Sequence, residues 1–188
     1  MNQCVIDRFP IPQNWLVYVG HDFGPDNPAA LFYACDPGTG QFYLFDEYLP
    51  GSGVSVHERC EAFKKTTKGM NVVKRVGGSP SEEENRQAYN AHGWIISQPK
   101  LGHVEPQIEK VFALHKLNKV MVFSDMVHYL DEKRTFSREL DDRNEPTYKI
   151  ADIAKFHLMS CERYLLSDFT PETVEQGGWQ SSRSSFRF

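Results

Sequence analysis

The sequence contains 188 residues, 40% of them hydrophobic, which is enough chain to form one domain with a substantial core. Its formal net charge of −4 excludes a protein that is strongly basic throughout, so any contact with DNA has to be made by a local surface. The four cysteines show no Cys-x-x-Cys spacing, no apolar run approaches the length of a membrane span, and the polar start lacks the features of a secretory signal. We therefore expect a cytoplasmic protein without a zinc site or a dense disulfide framework.

The first half of the chain predicts three consecutive antiparallel strands, followed by a helix and a fourth strand. Apolar and aromatic runs are separated by turn-forming residues, and the clearest turn, at 36–40, is typical of a hairpin. The predicted elements are an extended lead-in or former linker (1–15), strands (16–24, 29–34 and 41–48), a helix (55–68) and a strand (71–76).

The second half predicts helices that alternate with short strands. Ser81 and Glu84 have the spacing of a capping box, in which the first residue of a helix and the residue three positions later bond to each other. Three antiparallel strands followed by this alternation predict an α/β fold with a mixed central sheet flanked by helices. The predicted elements are helices (81–92, 104–117 and a long final one, 150–169), strands (94–96 and 120–123), an exposed hairpin or loop (131–144) and a flexible tail (171–188).

Asp22 is the most informative residue because it lies in an apolar strand, where an unpaired carboxylate is costly to bury. Turn-forming residues at 24–28 place it near the end of that strand. Three explanations stay open, namely a carboxylate that caps the turn, a buried salt bridge, and a metal-binding or catalytic carboxylate. His21 points to the opposite face of the strand, and we expect it to be structural.

Three separated segments resemble the nuclease domain of phage terminase large subunits, which is ribonuclease-H-like. Residues 15–24 resemble the opening of that domain, and 77–83 with the later Gly93-Trp94 resemble the strand, turn and helix that carry its second acidic position. Residues 156–164 resemble its end motif, in which a His precedes an Asp-Ala and an Arg-Tyr follows. The resemblance extends over about 10–168, and the phosphate-binding loop of an ATPase is absent from the sequence.

The resemblance implies that residues 16–170 form a nuclease domain that cleaves concatemeric viral DNA during genome packaging. The implied cofactor is Mg²⁺ or Mn²⁺, because a pair of hard divalent ions can activate water and stabilise the leaving oxygen of a phosphodiester. Asp22 would bridge these ions. The implied partners are double-stranded DNA, the portal and the small terminase subunit, with no membrane, and the implied location is the cytoplasm of a bacterial host.

The chain departs from this family at two positions where an acid is expected. Ser79 stands where the resemblance implies the second carboxylate, and Ser160 stands in place of the end-motif Asp. A hydroxyl is a weak neutral ligand, so the two replacements remove about two negative charges from the site. We therefore expect weak metal binding at a degenerate site.

Four residues are candidates to complete the catalytic site with Asp22. Glu82 and Glu83 follow the second expected acid closely, and each either reaches the site or complements the dipole of the helix that begins there. Asp152 opens the final helix, either as a cap or as a ligand, so the predicted metal ligands are Asp22, Glu83 and Asp152. His157 matches the end-motif His and would orient water, unless it is an ordinary packed helix residue.

Basic residues form one dense cluster and continue in the charged segment near 131–144. Binding of DNA phosphates is one interpretation, and a solvated charged surface is the other. The predicted DNA-binding residues are Lys64, Lys65, Lys68, Lys74, Arg75 and Arg138.

Three hypotheses about function follow from the sequence. The first is an active, metal-dependent endonuclease in which the candidate acids replace the missing ones. The second is a degenerate nuclease that serves as a catalytically inactive DNA-binding or assembly module, such as the remnant of a prophage gene. The third is a small α/β protein of unrelated function, and the ordered match of three segments argues against it.

Overall fold

The computed structural model describes residues 4–24 and 26–170, so the predicted tail at 171–188 lies outside the described residues. Six of the described strands form one mixed sheet with helices on both faces, and two more form a separate hairpin. The predicted α/β fold is confirmed. The strands are β1 (Val5–Ile6), β2 (Leu16–Asp22), β3 (Ala29–Cys35), β4 (Phe42–Tyr48), β5 (Asn71–Gly77), β6 (Val120–Phe123), β7 (Arg138–Leu140) and β8 (Pro146–Ile150). The helices are α1 (Val56–Thr66), α2 (Glu83–Ala91), α3 (Val104–Lys116), α4 (Val127–Thr135) and α5 (His157–Leu166), with a 3-10 helix (Ile153–Lys155) before the last.

The order of strands in the large sheet is β1-β6-β4-β3-β2-β5. Strands β2, β3 and β4 are consecutive and antiparallel, as the sequence predicts, and the Asp36 carboxylate accepts the Gly38 N–H in the turn between β3 and β4. Strand β5 pairs with β2 in parallel, and so does β6 with β4. Because β2 and β5 are parallel, their carboxyl ends lie at the same edge of the sheet.

The two faces of β2 pack against different helices. His21 is buried among Phe63 of α1, Tyr89 of α2 and Trp94, and its Nε2 accepts the indole N–H of Trp94. Burial, with the charge of Arg75 adding to it, lowers the pKa of His21 to about 3, so the imidazole is neutral. The expected structural role of His21 therefore agrees with its surroundings, and the alternation of β2 places Asp22 on the other face.

The other face of β2 packs against α5 at very short range. A Cβ atom added to Gly20 would lie 2.3 Å from the carbonyl oxygen of Cys161, which is backbone and cannot rotate away. Only glycine at position 20 therefore allows α5 to pack this closely against β2. Helix α5 in turn carries His157 to the end of the strand where Asp22 lies.

Replacing Gly20 by alanine is expected to lower the free energy of unfolding by about 3 kcal/mol or more, because α5 would have to move off the sheet. Urea unfolding followed by circular dichroism measures this change. Gly102→Ala is the matched control, since its Cβ would meet only the Pro80 ring at an ordinary 3.6 Å. Equal unfolding midpoints for Gly20→Ala and wild type would show that the close approach is not required.

The structure differs from the sequence prediction at both ends of the chain. The lead-in contains the short strand β1, which pairs in parallel with β6 and was not predicted. The predicted helix over 150–169 is wrong in its first third, because Ile150 ends β8 and Asp152 has a left-handed backbone (φ 49°) that no α-helix can continue. Only the part from His157 onward is α-helical.

Three further predictions fail in the middle of the chain. Residues 94–96 do not form a strand, and only one isolated bridge, between Val76 and Ser97, adds to the sheet there. The segment 131–144 is not entirely a hairpin or loop, because its beginning is α4 and the hairpin runs from Arg138 to Ile150. The capping box at 81–84 is absent, and α2 begins without a side-chain cap.

In the part of the chain that the structure describes, none of the helices is long and apolar enough to cross a membrane.

Candidate functional site

Asp22 is the last residue of β2, at the edge of the sheet where β5 also ends. Gly77 pairs with His21 across these strands, and the Gly78 N–H donates to the His21 carbonyl at 3.3 Å. Ser79 follows directly, so the turn that leaves β5 begins beside the strand end that presents Asp22. The carboxyl ends of neighbouring parallel strands are a frequent position for binding sites in α/β sheets.

His157 meets Asp22 from the first turn of α5. Its Nδ1–H donates to the Asp22 carboxylate over 2.8 Å, and the side chains of Asp22 and His157 are only 16% and 18% exposed. This hydrogen bond raises the pKa of His157 despite the opposing effect of burial, and the charges of Asp22 and Glu132 add to the rise. The contact therefore favours the protonated imidazole, and it joins two residues 135 positions apart.

A second carboxylate, Glu132 of α4, lies close to this pair. Its oxygen accepts the N–H groups of Leu158 and Met159, at 2.9 and 3.1 Å, in the first turn of α5. Burial raises the pKa of Glu132 in spite of these two bonds, and the nearby charge of Asp22 raises it further. No sequence spacing relates Glu132 to Asp22, so sequence reasoning missed it, and only the packing of α4 against α5 reveals it.

The expected second acidic position is occupied by a closed hydrogen-bonded turn. The Glu82 carboxylate accepts both the Ser79 backbone N–H, at 2.6 Å, and the Ser79 hydroxyl, at 2.8 Å. The reciprocal bond of a capping box is absent, because the Glu82 N–H donates to the Ser79 carbonyl and not to the Ser79 hydroxyl. Burial raises the pKa of Tyr164 against the opposing charge of Arg163, and the charges of Asp22 and Glu82 add to the rise.

A buried arginine fixes the backbone of this turn. Arg86 of α2 is only 2% exposed, and its guanidinium donates to the carbonyls of Gly77, Ser79 and Pro80. Gly78 has a left-handed backbone (φ 73°), and a Cβ there would lie 2.5 Å from the ring of Phe23. The backbone at Ser79 is thus held by contacts additional to the bond between its own hydroxyl and Glu82.

The remaining candidate residues have partners of their own. The Ser160 hydroxyl, one turn after His157, donates to the Phe156 carbonyl and accepts from Arg163. Glu83 is 59% exposed and pairs with Arg86, and Asp152 is 68% exposed and pairs with Lys155. The structure therefore brings Asp22 and His157 into contact, but it gives Glu83 and Asp152 local ion pairs on the surface.

The side-chain atoms near the ends of β2 and β5 determine which metal ion could bind there. Within residues 4–24 and 26–170, no group of three or more His, Cys, Asp and Glu side chains has the arrangement of a metal site. The Asp22 carboxylate fits one divalent ion that keeps several waters and takes further oxygens from substrate phosphates, as Mg²⁺ does. Because the His157 Nδ1–H is donated to Asp22, the His157 ring would orient this carboxylate from outside the coordination shell of such an ion.

The predicted DNA-binding residues divide into two groups. Lys74 pairs with Asp168, Arg75 stacks on Trp94, and Arg138 forms two bonds to Glu105, so these three side chains have structural partners. The exposed residues are Lys64, Lys65 and Lys68. Lys68 lies three residues before Asn71, which pairs with Leu16 at the opposite end of β2 from Asp22, about 20 Å away along the strand.

Comparison with known proteins supports the fold through solved structures alone. No protein-family model matches the sequence, and no curated protein matches it. The nuclease domain of the g2p large terminase from bacteriophage SPP1, with bound Mn, is similar with 20% sequence identity and a TM-score of 0.59, over 79% of this chain and 83% of that chain. The large terminase nuclease domain of P22 is similar with 18% identity and a TM-score of 0.67, over 92% of this chain and 93% of that chain.

A longer relative shows how much of a large terminase the chain corresponds to. The large terminase of a thermophilic bacteriophage, in complex with ADP, is similar with 16% identity and a TM-score of 0.71, over 87% of this chain but 41% of that chain. The chain thus spans less than half of that protein. Together with the mixed sheet and its flanking helices, these similarities show that the chain has the ribonuclease-H-like α/β fold of large terminase nuclease domains.

Proposed function

We propose that the chain is a terminase-type nuclease domain that binds double-stranded DNA and cleaves it weakly with Mn²⁺ or Mg²⁺. The observation that carries the proposal is the contact between Asp22, at the end of β2, and His157, at the start of α5, in this fold. Concatemeric viral DNA would be the substrate during packaging in the bacterial host, and the portal and small terminase subunit would be the partners of the larger assembly.

The residues of the site divide the work between binding and orientation. Asp22 would hold the ion, and the His157 Nδ1–H orients the Asp22 carboxylate. When bound, a divalent ion supplies Lewis-acid stabilisation of the phosphoryl oxygens and a more acidic water. Since Ser79 and Ser160 supply no charge, the site attracts a cation weakly.

Cleavage of supercoiled plasmid tests the proposal. We expect slow nicking in Mn²⁺, slower nicking in Mg²⁺ and none in EDTA, because Mg²⁺ demands near-ideal octahedral geometry and gives up its waters reluctantly, so it tolerates an incomplete ligand set less well. Asp22→Ala is expected to abolish nicking, whereas Asp26→Ala, an exposed acid in the following turn, is expected to leave it unchanged. Equal nicking by wild type and Asp22→Ala would place the activity elsewhere.

A second candidate function is a DNA-binding or assembly module that does not cleave. The contact between Asp22 and His157 favours it, because the His157 Nδ1–H already occupies an oxygen of the carboxylate that would hold the ion. Fluorescence anisotropy with a labelled DNA duplex in EDTA distinguishes the two. Binding of the duplex without nicking in either metal would support the module, and nicking that depends on Asp22 would exclude it.

A further inference from the structure

The first turn of α5 is capped by a distant residue. Its own preceding residue, Phe156, offers no side-chain acceptor, so the N–H groups of this turn have no local cap. Glu132, 26 positions before Leu158, accepts the N–H groups of Leu158 and Met159 instead. A carboxylate at a helix N-terminus is favourable both as an acceptor and against the helix dipole.

The helix that carries Glu132 is itself firmly held. The Glu47 carboxylate of β4 accepts the His128 and Tyr129 N–H groups at the start of α4. Lys133, next to Glu132, donates to the buried Glu162 one turn further along α5. Helix α4 therefore holds α5 at two successive turns and connects its start to the central sheet.

We propose that Glu132 is a positioning residue that keeps the His157 imidazole on Asp22 by fixing the first turn of α5. His157 directly precedes Leu158, whose N–H Glu132 accepts, so any movement of this turn moves the imidazole. The contact between His157 and Asp22 is observed in the structure, whereas its consequence for metal binding rests on the proposed function. The two parts therefore need separate measurements.

Three variants separate the effects of charge, reach and capping. Glu132→Gln keeps an oxygen that can accept both N–H groups, Glu132→Asp keeps the charge but withdraws it by one methylene, and Glu132→Ala removes the cap. Asp131→Ala, on the exposed side of α4, is the matched control. Circular dichroism is used to choose a temperature at which every variant is folded. If Glu132→Ala does not fold at any temperature, Glu132→Asp takes its place in the comparison.

The first measurement is the NMR signal of the His157 Nδ1–H, which its bond to Asp22 protects from exchange and which His157→Gln assigns by its loss. Wild type, Glu132→Gln and Asp131→Ala are expected to show the signal, and Glu132→Ala and Glu132→Asp to lose it. A signal of wild-type intensity in both of the latter variants would overturn the inference, whatever the metal measurements give.

The second measurement is Mn²⁺ affinity by electron paramagnetic resonance. Losing the cap is expected to weaken Mn²⁺ binding by about 10-fold, as for other residues that orient a ligand, while Glu132→Gln stays within about twofold of wild type. If wild type binds no Mn²⁺ and Glu132→Ala still loses the Nδ1–H signal, the positioning role stands and the proposed function fails. If Glu132→Ala loses only stability and keeps both signal and affinity, Glu132 is purely structural and the inference is wrong.

Discussion

Replacing Ser79 and Ser160 together by aspartate is expected to strengthen Mn²⁺ binding by at least about tenfold, because affinity for a hard cation rises with the number of charged oxygen ligands. Nicking of plasmid should then become measurable in Mg²⁺ as well. At the buried position 160 an aspartate would keep Arg163 beside it as a hydrogen-bond donor, but it would lose the bond that the Ser160 hydroxyl donates to the Phe156 carbonyl. Isothermal titration with Mn²⁺ and a plasmid assay measure the two effects.

The two substitutions are expected to differ in their effect on stability. An aspartate at 79 would face the Glu82 carboxylate, which now accepts from the Ser79 hydroxyl at 2.8 Å, and two carboxylates this close repel each other. Ser79→Asp should therefore lower the unfolding midpoint without metal more than Ser160→Asp does. Added Mn²⁺ should recover part of that loss.

Two controls make this prediction falsifiable. Adding Asp22→Ala to the double variant is expected to abolish both Mn²⁺ binding and nicking. Ser52→Asp with Ser124→Asp adds the same charge at exposed positions outside this turn and is expected to change neither. If that control pair strengthens Mn²⁺ binding as much as the site pair does, general surface charge explains the effect and the site is not where we place it.

The largest expected loss of stability comes from Glu162. This carboxylate is 2% exposed and accepts hydrogen bonds from Tyr129, His115 and Lys133. Glu162→Ala would leave the buried hydroxyl and two basic groups without their acceptor, so we expect the free energy of unfolding to fall by about 3–5 kcal/mol. Glu139→Ala, at an exposed position of β7, is the control and should change stability by less than about 0.5 kcal/mol.

The same carboxylate predicts a pH dependence of stability. Burial raises the pKa of Glu162, but the charges and hydrogen bonds of Lys133 and His115 outweigh burial and leave it below its ordinary value. As the pH falls, the Glu162 carboxyl of the unfolded chain therefore takes up a proton at a higher pH than that of the folded protein does. The contribution of Glu162 to stability is complete above the ordinary carboxyl pKa, and it is lost as the pH falls through the lower pKa of the folded state. Urea midpoints should fall more steeply on acidification for wild type than for Glu162→Gln, and parallel curves would contradict this.

Local patterns in the sequence predict much of the fold. The hairpin turn at 36–40, the run of apolar residues in β2 and the stop signals after each helix depend on neighbours in the chain, and the three antiparallel strands are confirmed. The charged residues of α4 suggested an exposed loop, because nothing local shows that Glu132 and Lys133 bind α5. The break in the predicted final helix depends on Asp152, whose left-handed backbone a sequence pattern does not indicate.

The candidate site shows the same division between local and distant contacts. An acid in an apolar strand is unusual enough to identify Asp22 from the sequence, and the end-motif resemblance adds His157. The prediction that Glu83 is a metal ligand depended on its closeness in sequence to Ser79, and the same prediction for Asp152 depended on its place at the start of the predicted final helix. Their observed partners, Arg86 and Lys155, are each three residues away on the same turn, where such pairs form readily.

At the second acidic position, Arg86 holds the backbone of the turn, whereas the side chain of residue 79 determines whether a charged ligand is present there. Its guanidinium bonds to backbone carbonyls, so the path of the chain through Ser79 does not depend on the side chain of that residue alone. A single exchange at this position can therefore remove or restore a charged ligand while the scaffold stays in place. A fold built in this way can lose or regain a charged ligand long before it loses its shape, so the shape alone is no measure of reactivity.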